Sequence, residues 1–226
     1  MFIKNLLAKI FKLLAGRGTF VRLYTSIFEK LRRILGIVLS TYYGAHPKHV
    51  FDSYHSFFIE NIEKDDAVLD IGCGSGYLTK AIGKKCKTVV GVDKNPSLIQ
   101  KAKKYNTLPN ISYICKDIFA FEFQKFDAVT MSNVLEHLKN DKKLLSLLHE
   151  HTDKLLIRVP MYRNWYSLVK KDLGMNYYSD SSHFREYTAE TMKKVLSMTN
   201  WRITGLEFKW DFCPTILLIA VPKTNK

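Results

Sequence analysis

The segment Val68-Leu69-Asp70-Ile71-Gly72-Cys73-Gly74-Ser75-Gly76 constrains this chain more than any other. An apolar, β-branched run carrying an acid passes straight into glycines at alternate positions, and a helix-like stretch begins at once with Tyr77. Strand, glycine loop and helix in immediate succession open a βαβ unit, whose glycines let the backbone turn tightly and pass close under a ligand with amides aimed at it. The same rhythm continues down the chain. Strands are expected at 67–71, 88–92, 111–115, 126–131 and 154–159, with helices at 77–85, 96–105 and 134–151. Pro96 suits a first helical turn, where its missing N–H costs nothing. A long irregular stretch then leads to a helix at 189–199 and two strand-like runs, 202–210 and 215–221. The expected fold is α/β: a doubly wound, mostly parallel seven-stranded sheet with an antiparallel C-terminal hairpin and an N-terminal helical extension. Residues 51–226 form the main domain, with an insertion at about 160–187, and residues 1–50 the extension.

Charge separates that extension from the rest. Of the net +14, the first fifty residues supply +8, from nine Lys/Arg against the single acid Glu29. At 100° per residue, Phe2, Ile3, Leu6, Leu7, Ile10, Phe11, Leu13 and Leu14 share one half of a helix, and Lys4, Lys9 and Lys12 the other. Lysines recurring through the segment are unlike a secretory signal, which keeps its charge ahead of an unbroken apolar stretch. Such a helix can lie in an anionic membrane surface, or pack on the catalytic domain or at a dimer contact; both readings stay open. A second basic helix is expected at 20–39. The aromatic, His-rich stretch 42–63 can cover a ligand pocket or pack on the sheet. The longest apolar run, 34–43, falls far short of the roughly 20 residues that span a bilayer. Four scattered cysteines, with neither a C-x-x-C pair nor metal-ligand spacing, point to reduced thiols, no metal site and a cytoplasmic protein, peripheral on an inner membrane face if the first reading holds.

The acids define what the glycine loop can hold. A dinucleotide loop reads G-x-G-x-x-G and seats a pyrophosphate, whereas this one reads G-x-G-x-G with Asp70 two residues before its first glycine. An anion there repels pyrophosphate and favours a ligand bearing an ammonium and a sulfonium. Asp93, seventeen residues beyond Gly76 at the end of the second strand, can accept both hydroxyls of a ribose. Asp117 follows the third strand, where an adenine amino group can donate to it.

Together with the block Phe126-Asp127-Ala128-Val129-Thr130-Met131-Ser132-Asn133-Val134-Leu135-Glu136-His137-Leu138, these motifs resemble the class I methyltransferases over about 54–221. The resemblance implies S-adenosylmethionine as methyl donor, held by Asp70, Gly72, Cys73, Gly74, Gly76, Asp93, Lys94, Asp117, Ile118 and Asn133. Methyl transfer is an in-line displacement in which positioning supplies much of the catalysis, and a base is needed only for an acceptor whose proton has a high pKa. His137, after the fourth strand, is the first candidate base, though the same block serves as scaffold in related enzymes. His183, in Ser182-His183-Phe184-Arg185-Glu186-Tyr187-Thr188, is the second. That stretch is similar to the H-x-R-x-Y-T segment of small-molecule and glycan methyltransferases, which implies acceptor binding by Arg185 and Tyr187; Thr188 there also reads as a helix cap. Tyr162 and Trp165, in the aromatic insertion, are further acceptor-side candidates.

Met131-Ser132-Asn133-Val134 is not the N-P-P-Y or D-P-P-Y type that holds a planar amino group, and no cysteine follows that strand as a nucleophile toward a pyrimidine. Oxygen on a small molecule, lipid or glycan is the leading acceptor. Two other readings are kept: an RNA methyltransferase using the basic N-terminal arm, and a Rossmann-type binding protein without chemistry.

Overall fold

A computed structural model describes residues 4–7, 9–10, 18–44, 54–161, 165–209 and 214–223. The chain divides into two compact units, Asp52–Tyr162 with Ser182–Lys226, and Met1–Phe51 with Arg163–Ser181. The sheet lies wholly in the first of these. The second joins most of the expected insertion to the N-terminal extension, a grouping invisible in sequence order.

In the unit of the second grouping, the long helix α1 spans Gly18–Tyr43. In the sheet unit, α2 (Tyr54–Glu60) leads to β1 (Ala67–Ile71), α3 (Tyr77–Gly83), β2 (Thr88–Asp93), α4 (Pro96–Tyr105), β3 (Ile111–Cys115) and β4 (Ala128–Ser132). There follow α5 (Asp141–Leu148) and β5 (Leu155–Pro160), then α6 (Trp165–Asp172) in the N-terminal unit, and finally α7 (Ala189–Met198), β6 (Trp201–Lys209) and β7 (Thr215–Pro222). The strand order is β3-β2-β1-β4-β5-β7-β6, and β7 alone runs against the others. The antiparallel closure expected from the two C-terminal runs is therefore present.

Burial explains the composition of the strands. All six residues of β5 are buried, as a strand covered on both faces by helices must be, while edge strand β3 buries only Tyr113. One side of the sheet packs Leu69, Ile71, Val129, Met131, Leu135, Leu144 and Trp201; the other packs Val68, Val89 and Leu156 against Phe57, Phe58 and Ile82. The buried Trp201 indole donates to the Leu145 carbonyl at 2.8 Å, so its one polar atom is satisfied. Asn95 caps α4 by accepting from the Ser97 and Leu98 amides, with Pro96 in the first turn.

The helix expected at 134–151 is broken. Asn133 turns the chain at φ +58°, Leu135–His137 makes a single 3₁₀ turn, and α5 starts only at Asp141. Tertiary bonds account for the break: Asp141 accepts from the buried Tyr187 hydroxyl at 2.7 Å and pairs with Arg185, which also donates to the Lys139 carbonyl at 2.9 Å. A continuous helix would carry these groups away from their partners.

Asp70 also departs from expectation. Its carboxylate is buried and turned between strand and helix, accepting from Thr79 Oγ1 at 2.6 Å and Thr130 Oγ1 at 2.8 Å. Burial pushes this carboxyl up from 3.8 to about 6, against the pull of the two hydroxyl donors. The folded chain thus holds the proton more tightly than the unfolded chain. The resulting stabilisation, roughly 3 kcal/mol, is complete below about pH 4 and is lost as pH rises through about 6. Asp70→Asn should flatten the fall in melting temperature between pH 4 and 7; an unchanged slope in thermal scans would contradict this placement.

In the N-terminal unit, Lys170 of α6 is buried and ion-paired at 2.7 Å with Glu29 of α1, and donates to the Tyr178 carbonyl at 3.0 Å. The side of α1 bearing Glu29 also carries Thr25, Gly36 and Ser40, all buried or half-buried. Leu23, Ile27, Leu31, Ile34 and Val38 share the opposite side and are exposed, Leu31 by 59%. The helix turns its polar side inward, the reverse of a helix on an ordinary core. Residues 4–7 and 9–10 are helical, and the rest of the segment 1–14 lies outside the described residues. Among the described residues no helix is long and apolar enough to cross a membrane.

Candidate active site

The sheet order reverses between β1 and β4, and at such a switch point the loops after neighbouring strands part to leave a crevice. Here it encloses about 210 Å³ and is lined by Gly72 after β1, Asp93 and Lys94 at β2, and Lys116, Asp117, Ile118 and Phe119 after β3. Asn133, Val134, His137 and Leu138 complete it after β4. Of the sequence candidates for donor binding, the crevice therefore gathers Gly72, Asp93, Lys94, Asp117, Ile118 and Asn133. Asp70 stays beneath the loop, and Cys73 is buried beside Gly91 and Tyr113. Phe119 carries no motif, and only its position after a strand-end acid marks it as a flat surface for an adenine.

The glycine loop works differently from the expectation that its amides face a ligand. Gly72 and Cys73 both donate to the Val92 carbonyl, at 2.8 and 3.1 Å, Gly76 donates to the Cys73 carbonyl, and the Gly74 amide goes to Asp93 Oδ2 at 3.0 Å. With these amides committed, the loop has little to offer a pyrophosphate. It offers bare backbone: a Cβ on Gly74 would meet nothing within 4 Å, so the ligand side of the loop is open. Gly72, at φ +68°, lies so close to Val134 that a Cβ would approach its Cγ2 to 2.6 Å. Asp93 Oδ1 accepts from the Asn95 amide at 2.8 Å. Each oxygen keeps a further lone pair, so a ribose diol fits a carboxylate already aimed by two backbone donors. Asp117 is likewise fixed, accepting from the Phe119 amide at 2.9 Å.

The second half of the site is a cluster of ionisable side chains. His137 Nδ1 lies 3.0 Å from Ser182 Oγ, His183 Nδ1 lies 3.0 Å from Glu186 Oε1, and the two imidazoles meet edge to face at 4.6 Å. The Phe184 amide donates to the Glu136 carbonyl at 2.9 Å and so clips this loop to the turn after β4. Glu136 is fully buried, and burial pushes its carboxyl up to about 7. Glu136 is not among the sequence candidates, because nothing in Leu135-Glu136-His137 signals that the acid is buried. Arg158, buried on β5, donates to Asn133 Oδ1 at 2.7 Å and holds that strained residue at the crevice.

Two acceptor-side candidates are diverted to structure. Tyr187 is buried and held by Asp141, which with burial drives its phenol well above the ordinary range. Arg185 is tied to Asp141 and Lys139, and faces a separate hollow with Lys142, Lys143 and Thr191. Tyr162 and the side chain of Trp165 lie outside the described residues. Thr188 caps α7 reciprocally with Thr191, as its spacing suggests.

A strand-end carboxylate crevice under a glycine loop that spends its amides internally defines a nucleoside site without a pyrophosphate. Comparison with known proteins agrees: residues 43–206 match the methyltransferase-domain family. The chain belongs to that family, the class I methyltransferases that depend on S-adenosylmethionine. A ubiquinone biosynthesis O-methyltransferase of Coxiella burnetii is 35% identical over 105 residues, which are 44% of this chain and 45% of that protein. The mitochondrial counterpart from Schizosaccharomyces pombe is 34% identical over 119 residues, 47% of this chain and 43% of the relative. The chain thus aligns with rather less than half the length of these curated relatives. Among solved structures, magnesium protoporphyrin IX methyltransferase from Synechocystis PCC 6803 with bound SAH shares the fold at a TM-score of 0.64 and 20% identity, over 91% of this chain and 99% of that one.

Proposed function

We propose that this chain moves a methyl group from S-adenosylmethionine to an oxygen of a hydroxylated small molecule, lipid or glycan met at an anionic membrane surface. The observation that carries the reading is the placing of His137: it lines the donor crevice and touches the second imidazole, His183. S-adenosylmethionine, when bound, supplies a methyl group made electrophilic by its sulfonium. Asp93 would hold the ribose hydroxyls and Asp117 with Phe119 the adenine, which leaves the methyl group directed past Asn133 toward the histidines. There the acceptor oxygen bonds to the methyl carbon as the carbon–sulfur bond breaks, and the hydroxyl proton leaves on the His137 side. The relatives named for O-methylation in ubiquinone biosynthesis support oxygen over nitrogen.

The outward apolar side of α1, edged by Lys30, supports a surface-bound enzyme rather than an RNA-binding arm, which has no use for such a face. The full chain should label a lipid or glycan fraction when given methyl-labelled donor and fractionated extracts; label confined to RNA would overturn the reading. Replacing Ile27, Leu31 and Ile34 together by Asp should abolish co-sedimentation with vesicles of one-third anionic lipid while donor affinity stays unchanged. These exposed positions spare the Glu29–Lys170 pair, so a variant that still sediments would remove the membrane from the proposal.

A further inference from the structure

Glu136, His137 and His183 bring one carboxylate oxygen and two ring nitrogens within 4.8 Å of one another. From this cluster we infer a divalent transition-metal site, open on the side of the donor crevice, that takes one Zn²⁺ or Mn²⁺ per chain.

Glu136 is the first reason. It is fully buried, and neither carboxylate oxygen meets a hydrogen-bond donor among the described residues. A carboxyl group buried without a hydrogen-bond partner either keeps its proton or takes up a cation, and two imidazoles beside it supply the other ligands a cation needs. His183 and Arg158 both act on this carboxyl, yet the Arg158 guanidinium donates to Asn133, and no hydrogen bond reaches either Glu136 carboxyl oxygen.

The imidazoles are the second reason. Glu186, side chain 2% exposed, holds His183 Nδ1, whose side chain is 5% exposed. A carboxylate accepting from Nδ1–H fixes the tautomer with the lone pair on Nε2, and a metal-bound histidine is oriented in this way by a carboxylate behind it. Ser182 Oγ lies 3.0 Å from His137 Nδ1 and holds that ring as either donor or acceptor, so both imidazoles are positioned by a side chain behind them.

Two imidazoles and one carboxylate suit Zn²⁺, Mn²⁺, Fe²⁺ or Co²⁺ and leave coordination positions unfilled. Ligands about 2.1 Å from a tetrahedral ion sit about 3.4 Å apart, so from 4.8 Å the side chains on these clipped segments need to close by at most about 1.4 Å. Scattered cysteines gave no hint of such a site, because its ligands lie on two loops 46 residues apart.

His137 also lines the crevice, which gives the ion a role that rests on the oxygen-acceptor reading above. A hydroxyl coordinated at the open position loses its proton to water more readily, and the resulting oxygen anion is the better nucleophile toward the methyl carbon.

The test uses the full chain stripped by a chelator and titrated with Zn²⁺ and with Mn²⁺ in a calorimeter, with the Co²⁺ absorption spectrum as an independent readout. One ion per chain is expected. Glu136→Gln and His183→Ala should each weaken Zn²⁺ by 100-fold or more, and Glu186→Gln by about 10- to 100-fold. S-adenosylhomocysteine affinity and thermal unfolding of Glu136→Gln verify that the variant is folded. Failure of both ions to bind at one per chain, or equal Zn²⁺ affinity in folded wild type, Glu136→Gln and His183→Ala, would overturn the site. Zn²⁺ binding with these losses but no methylation of any hydroxylated acceptor would support the site and sink the acceptor reading alone. Undiminished methylation by the metal-free chain would overturn the ion's proposed role.

Discussion

Replacing Asp93 by alanine should weaken binding of S-adenosylhomocysteine by about 100-fold or more, measured by calorimetry on the folded variant. Two hydroxyls donating to one carboxylate make charge-assisted bonds of about 1.5–3 kcal/mol each, and every 1.4 kcal/mol is tenfold in affinity. Asp93 also receives the Gly74 and Asn95 amides, so its loss frees the tip of the glycine loop at the same time. Asp117→Ala, which removes one bond to the adenine edge and a cap on a short turn, should cost about tenfold. Unaltered affinity in Asp93→Ala would place the donor elsewhere.

His137→Ala should lower turnover by about 10²- to 10⁴-fold while donor affinity changes only a few-fold. The imidazole lines the crevice, and in the proposed reaction it acts on the acceptor's hydroxyl proton directly or through an ion. His183→Ala should follow the same pattern if the edge-to-face pair works as one unit, and the double variant should then be hardly worse than either single one. Equal loss of turnover and donor affinity would instead make His137 a wall of the donor site.

The sheet was legible because parallel strands buried on both faces must be apolar and β-branched, and their spacing survives in the text from Val68 to Val159. Legibility failed where a long-range bond overrides a local pattern. The periodicity of 134–151 reads as one helix, yet Asp141 and Lys139 bond to Tyr187 and Arg185, some 46 residues away, and the helix breaks. The same bonds divert two residues whose chemistry suits an acceptor. Asp70 is a similar case: its place before the glycines suggests a ligand-facing acid, but side chains alternate along a strand and this one faces Thr79 and Thr130. Glu136 shows the opposite failure, since nothing in the letters Val-Leu-Glu-His says that the acid is wholly buried.

The pairing of α1 with α6 has a consequence for how the protein is made. Helix α1 is completed at Tyr43, and its partner starts only at Trp165, about 120 residues later. At ribosomal rates of about 5–20 residues per second, α1 waits on the order of 10 s for the lysine that neutralises Glu29. In that interval the outward apolar side is complete and the inward polar side is still hydrated. On the membrane reading proposed above, the side of α1 that meets lipid is therefore presented before the sheet has closed, during translation rather than after folding.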